Sequence, residues 1–284
     1  MAKTFDRKIY WARRVRRPLK LCSPALMLLV SGLGSPSAEA AEPGALGVDL
    51  ELVLAVDVSP SMSPSEQRVQ RNGYVNAFRH PDLIKAILSG PRGVIAVSYL
   101  EWAGPNSRRI VLPWTIVGSY GDARQFADAL ATEPISAQPG TSISGALLAA
   151  GDLFAQSRIA AARRVIDISG DGPNNAGLPV APIRDRLTAS GVTINGLPLS
   201  LAHGGFNGFQ SFGAQYLNLY FERCVIGGSD AFVIGIDDLA LFEIAVRRKL
   251  LLEIAGMPSR PKLASYNPAA GPAFDCSMIG TAAR

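Results

Sequence analysis

The stretch Val48-Asp49-Leu50-Glu51-Leu52-Val53-Leu54-Ala55-Val56 runs directly into Asp57-Val58-Ser59-Pro60-Ser61-Met62-Ser63, and no other feature constrains the fold as much. Alternation gives way to an apolar run, as in a strand entering a parallel sheet whose two faces are both covered by helices. A carboxylate and two hydroxyls then recur at every second position, Asp57, Ser59 and Ser61, so a strand end folding into a turn can converge their oxygens. Ser63-Pro64-Ser65-Glu66 follows with a hydroxyl cap, a proline at the first helical position and a glutamate three residues after the cap. The oxygens therefore stand at a strand-to-helix junction, where open α/β sheets bind their ligands.

Further strands are expected over 93–99, 109–117, 164–169, 192–199 and 231–236, and helices over 64–88, 121–131, 142–155, 180–190 and 237–255. Strands alternating with helices of this length imply βαβ units. The expected fold is a doubly wound α/β domain over residues 48–256, with a mostly parallel sheet and helices on both faces. Residues 202–213 (AHGGFNGFQSFG) carry four glycines and no periodicity, which predicts a long loop after the fifth strand. Beyond Gly256 the chain is proline-rich, so 257–284 reads as a tail.

The first twenty residues carry eight basic side chains against one acid, followed by an apolar run from Leu21 to Leu33 and the small-x-small pattern Ala38-Glu39-Ala40. This layout predicts a secretory signal peptide over 1–40, cleaved after Ala40, with 41–47 as a linker and the mature chain periplasmic or secreted. Pro24 and the Gly32, Gly34, Pro36 cluster interrupt the apolar run too soon for a comfortable membrane span. Cleavage would remove eight of the 28 basic residues and two of the 23 acidic ones, leaving 20 against 21 and a net charge of −1. The formal charge of +5 is thus carried by the leader, and neither nucleic acid nor anionic lipid is implied as a partner. Cys22 leaves with the leader, and the remaining Cys224 and Cys276 imply one disulfide in an oxidising compartment, two separate thiols being the alternative.

A second acid is placed like the first, because the apolar strand Arg164–Ser169 leads into Gly170-Asp171-Gly172, whose glycines let the backbone turn. Between the two, Gly140-Thr141-Ser142 offers a third oxygen-bearing loop ahead of a helix. All these donors are hard oxygens, which selects Mg²⁺, Mn²⁺ or Ca²⁺ over Zn²⁺ or Cu²⁺. Two carboxylates and three hydroxyls are too few for a tight all-protein calcium cage, so an open position is expected.

Asp57-x-Ser59-x-Ser61, Thr141 and Asp171-Gly172 together resemble the metal-ion-dependent adhesion site of von Willebrand factor type A (vWA) domains, with all five positions filled. The resemblance covers residues 48–256 and implies a vWA/Rossmann-like fold. It implies that Ser59 and Ser61 bind a divalent cation, most simply Mg²⁺, directly, and that Thr141 binds directly or through water. Asp57 and Asp171 would act mainly through water or hydrogen bonds, while a Glu or Asp carboxylate of a partner protein supplies a further oxygen. The whole chain also resembles an uncharacterised, DUF1194-like group of exported bacterial proteins, in which Ser169–Gly172 and Cys224–Gly228 have counterparts.

The rival enzyme reading is a haloacid-dehalogenase-like phosphatase, since Gly170-Asp171-Gly172-Pro173-Asn174-Asn175 imitates that family's acidic loop. It lacks the general acid two residues after a nucleophilic Asp57, where Ser59 stands, and the last loop acid, where Asn175 stands. A serine hydrolase is excluded by the lack of a GxSxG elbow, and the chain's two histidines, His80 and His203, read as a helix-end surface residue and a loop residue. Asp167, inside an apolar strand, needs a partner or a metal. Arg247-Arg248-Lys249 reads as a solvated helix face, and Trp102 and Trp114 as core or rim.

Overall fold

The computed structural model describes residues 47–200, 213–256 and 275–276. The expected signal peptide, nearly all of the linker and tail, the glycine-rich loop and His203 lie outside the described residues. The order is β1 (Gly47–Val48), β2 (Leu50–Asp57), α1 (Pro64–Arg79), α2 (Pro81–Leu88), β3 (Ile95–Trp102), β4 (Arg108–Val117), α3 (Tyr120–Thr132), α4 (Ile143–Gln156), β5 (Ala160–Ala161), β6 (Arg164–Gly170), α5 (Val180–Ala189), β7 (Val192–Pro198), α6 (Ala214–Tyr220) and α7 (Phe242–Ala255).

The main sheet has the order β4-β3-β2-β6-β7, with β4 antiparallel to β3 and every other pair parallel. β2 lies in the centre, which explains its composition. Leu50, Leu52, Leu54 and Val56 face a core shared with α1, α2, α3 and α7, whereas Val53 and Ala55 face a second core under α4, α5 and α6. At about 25 cal/mol per Å² of apolar surface removed from water, no residue of such a strand can be polar without a partner. Glu51 obeys this rule, since its buried Oε2 accepts from Arg164 Nε (3.0 Å) on the neighbouring strand.

Three sequence expectations need correction. The single helix over 64–88 is two helices, because Pro81 cannot continue the hydrogen-bonding of α1. His80 takes extended backbone (φ −78°, ψ 129°) and caps α2, its Nδ1 accepting from the Asp82 N–H (3.2 Å). The expected strand over 231–236 runs parallel to β7 but is reduced to two isolated bridges, Gly196 to Val233 and Leu199 to Ile236. Pro198 lies between them and has no N–H to donate. Residue 47, assigned to a linker, already pairs with Ala160 in a two-stranded ribbon.

The disulfide forms: Cys224 and Cys276 are bonded. Cys224 is fully buried in a π-helical turn (Phe221–Val225) that continues α6, and Cys276 packs against the same core. The bridge fastens the end of the chain to the sheet's second face.

Candidate functional site

Ser63 caps α1 with a complete capping box, its Oγ accepting from the Glu66 N–H (3.2 Å) and its own N–H donating to Glu66 Oε2 (2.7 Å). With the helix start held, the six-residue loop from Val58 to Ser63 has to turn back over the end of β2. Within it the Ser59 N–H donates to Asp57 Oδ1 (2.7 Å), Ser59 Oγ and Ser61 Oγ share a hydrogen bond (2.9 Å), and Ser61 Oγ donates to Asp171 Oδ1 (2.8 Å). Four of the five sequence-predicted residues, from two loops 110 positions apart, thus form one hydrogen-bonded chain.

Thr141 joins this group through its loop rather than through its hydroxyl. Its N–H donates to Asn175 Oδ1 (2.9 Å), and its carbonyl accepts from the N–H groups of Asn175 (2.9 Å) and Ala176 (3.2 Å). Asn174 adds a second clasp, its Oδ1 accepting from the Ser144 N–H (3.0 Å). The loop carrying Thr141 is therefore buckled to the loop that follows Asp171. Gly140, at φ +88°, lets the same loop pack against the turn between β3 and β4: a β-carbon there would meet Gly104 Cα at 3.1 Å.

Asp57 is completely buried, and while Oδ1 has its donor, Oδ2 has none among the described residues. Burial, reinforced by the nearby Asp171 charge, holds the Asp57 carboxyl well above the usual carboxylate range. Burial likewise pushes Asp171 up to about 6. Gly170 keeps the space beside the free oxygen open, since a β-carbon there would lie 3.1 Å from Asp57 Oδ2 and 3.3 Å from the buried Trp102 ring. Two desolvated carboxylates and the Ser59 and Ser61 hydroxyls beside them suit a hard divalent cation, which would relieve the penalty both acids carry. Among the described residues no three His, Cys, Asp or Glu side chains gather as an alternative metal site.

Sequence reasoning missed what holds this loop in place. Gln67 and Gln70 of α1 bond the backbone from Asp57 to Met62, the Asn174–Asn175 pair bonds that of Thr141 and Ser144, and the signal for the glutamines was a helix stripe at 67, 70, 71 and 74 that is buried yet largely polar. It also misplaced Lys249. Far from lying on a solvated face, Lys249 is fully buried, with Nζ 2.5 Å from both Asp167 Oδ1 and Glu253 Oε1. The partner that Asp167 needed comes from α7.

Solved structures with this architecture include the pilus adhesin SpaC from Lactobacillus rhamnosus GG (TM-score 0.53, 13% identity, 73% of this chain and 31% of that one). Proximal thread matrix protein 1 from the mussel byssus (0.51, 13%, 74% and 49%) and a von Willebrand factor type A protein from Catenulispora acidiphila (0.50, 15%, 73% and 43%) share it too. The chain spans less than half the length of each, and at such identity the likeness is one of fold. The architecture is that of a vWA domain. Residues 47–258 match the family described as "Protein of unknown function (DUF1194)", and the chain belongs to that family. No curated protein matches it.

Proposed function

We propose that the chain is an exported, cation-dependent protein-recognition module. Asp57, Ser59, Ser61, Thr141 and Asp171 would hold a divalent cation, Mg²⁺ first and Mn²⁺ or Ca²⁺ as alternatives. A Glu or Asp carboxylate on a partner protein would supply the oxygen the chain lacks. The observation that carries this reading is the Asp57 carboxylate, fully buried with one oxygen lacking a donor among the described residues, beside a second carboxylate whose pKa is raised by the same burial. Such an arrangement costs several kcal/mol unless a cation compensates it or the acids keep their protons. With only two carboxylates around it, the cation would stay electrophilic, so an incoming acidic side chain gains both charge and a coordination position.

Recognition is favoured over turnover. Ser59 stands where a haloacid-dehalogenase-like phosphatase needs its general acid, and its hydroxyl is engaged with Ser61. Asn175, where that family carries an acid, is engaged with the Thr141 N–H. In this reading Asp57 orients the loop rather than attacking a substrate. Export to the periplasm or beyond is supported by the Cys224–Cys276 bridge, which persists in an oxidising compartment. No helix among the described residues is long and apolar enough to cross a membrane.

Calorimetric titration with Mg²⁺ and Mn²⁺ tests the reading. Asp57→Ala and Asp171→Ala are each expected to abolish binding with the circular dichroism spectrum preserved, and Thr141→Ala to weaken partner capture more than metal binding. Unchanged binding in both aspartate variants would overturn it.

A further inference from the structure

Directly beneath the candidate loop lie two side chains that the cation reading leaves without a role. α1 presents Gln67 and Gln70 one turn apart on the face it buries, 6% and 1% exposed. Gln67 Nε2 lies within hydrogen-bond reach of three backbone carbonyls of the loop, those of Val58 (3.4 Å), Ser59 (3.1 Å) and Met62 (3.4 Å). Gln70 Nε2 donates to the Asp57 carbonyl and to Ser169 Oγ, both at 3.3 Å.

A planar peptide unit carries its carbonyl and the following N–H as one rigid body. The Val58 carbonyl held by Gln67 therefore belongs to the same plane as the Ser59 N–H, which donates to Asp57 Oδ1. The Asp57 carbonyl held by Gln70 shares a plane with the Val58 N–H, which donates to the Trp102 carbonyl (2.9 Å) on β3. By also reaching Ser169, two residues before Asp171, the Gln70 amide ties β2 to β6, the strands that carry the two acids. An apolar side chain of equal length would fill the same space but would fix none of these planes. Burying two primary amides is costly unless their donors are used, and here all the carbonyls they reach belong to β2's end and the loop after it.

We infer that Gln67 and Gln70 are positioning residues that set the orientation of the Ser59 and Asp57 oxygens and the separation of the two acid-bearing strands, and so the affinity for the cation. This inference rests on the cation reading above, and its test keeps the two apart. Gln67→Met and Gln70→Met retain side-chain length and remove the donors. Leu83→Ala, in the core under α2, serves as a control that lowers stability without touching the loop.

Mn²⁺ affinity by calorimetry and the electron paramagnetic resonance spectrum of the bound ion are measured on the purified chain, with melting temperature in chelator recorded for each variant. Each glutamine variant is expected to bind Mn²⁺ at least tenfold more weakly and with an altered spectrum, whereas Leu83→Ala melts earlier but keeps the parental affinity within twofold and the parental spectrum. Parental affinity and spectrum in both glutamine variants would overturn the inference while leaving the cation reading intact, as would weakening in Leu83→Ala equal to theirs. Failure of the parent to bind Mn²⁺ would remove the cation reading and this inference with it.

Discussion

Glu253 puts a number on the buried charge network that fastens α7 to the sheet. Its Oε1 accepts from Lys249 Nζ (2.5 Å) and from Asn195 Nδ2 on β7 (3.0 Å), while Asp167 on β6 takes the same ammonium from the other side. Arg163 is close by, yet it donates to the Glu253 carbonyl (2.8 Å) rather than to the carboxylate. Burial, reinforced by the Asp167 charge, pushes the Glu253 carboxyl up to about 7 from an ordinary 4.5. A folded pKa above the unfolded one means that the folded state keeps its proton longer. The stability from this group is therefore fully present below about pH 4.5 and is lost as the pH rises through about 7. The gap between those values, at about 1.36 kcal/mol per pH unit, comes to about 3 kcal/mol. Most of that falls between pH 5 and pH 8. Urea unfolding of the parent and of Glu253→Gln at both pH values measures it. The amide adds a constant cost where Oε2 has no donor among the described residues, and the raised Asp57 and Asp171 tilt both profiles alike, so only the difference in slope counts. Glu253→Gln should lose about 2–3 kcal/mol less than the parent over this interval. Profiles that stay parallel within about 0.5 kcal/mol would refute the reasoning.

Two further outcomes follow from the same packing. Lys249→Met leaves Asp167 and Glu253 buried without their cation and should cost about 3–5 kcal/mol in urea unfolding at pH 7, most of it recovered when Asp167→Asn and Glu253→Gln are added; a cost below about 1 kcal/mol would deny the network its structural role. Reducing the Cys224–Cys276 bridge, whose cysteines are 52 residues apart, should lower stability by up to about 4 kcal/mol, and a peptide map of unreduced protein should show the two cysteine peptides linked; free thiols at both positions would end that account.

The sheet was legible because β2 is central: a strand covered on both faces needs apolar residues at successive positions, and Leu52 to Val56 meet that demand without exception. Caps were legible for the same local reason, since Ser63 and Glu66 lie three residues apart and satisfy each other without help from the rest of the chain. Apart from the helix break, which Pro81 caused locally, the larger errors arose where a distant residue decided the outcome. Pro198 and the bridges it separates belong to segments more than thirty residues apart, so nothing near Val233 or Ile236 announced that their ladder would be interrupted. Lys249 looked solvated because Arg247 and Arg248 precede it, yet a helix turns about 100° per residue, and one step carried it from the exposed face to the buried one, where Asp167 waits.

The candidate site divides along the same line. Asp57, Ser59 and Ser61 stood out because their oxygens recur at every second position after a strand, whereas Thr141 and Asp171 were picked out by their loops at a helix start and a strand end and by the resemblance to the adhesion site. The groups that aim those donors follow no such spacing: Gln67 and Gln70 lie eight to thirteen residues from the carbonyls of Ser59 and Asp57, and Asn175 reaches Thr141 across 34 positions. The pattern at 67, 70, 71 and 74 still carried information, since a stripe with core spacing but polar residues must find partners inside the protein. Arg71 shows where that stripe leads on its other side. It pairs with the buried Glu101 and donates to the Leu130 and Glu133 carbonyls (2.9 Å each), while Arg109 joins Glu101 to Glu133. One face of α1 thereby fixes both the loop of Asp57 and the end of α3, from which the chain sets out towards Thr141, so that the loops bearing all five oxygens are referred to a single helix or to one another.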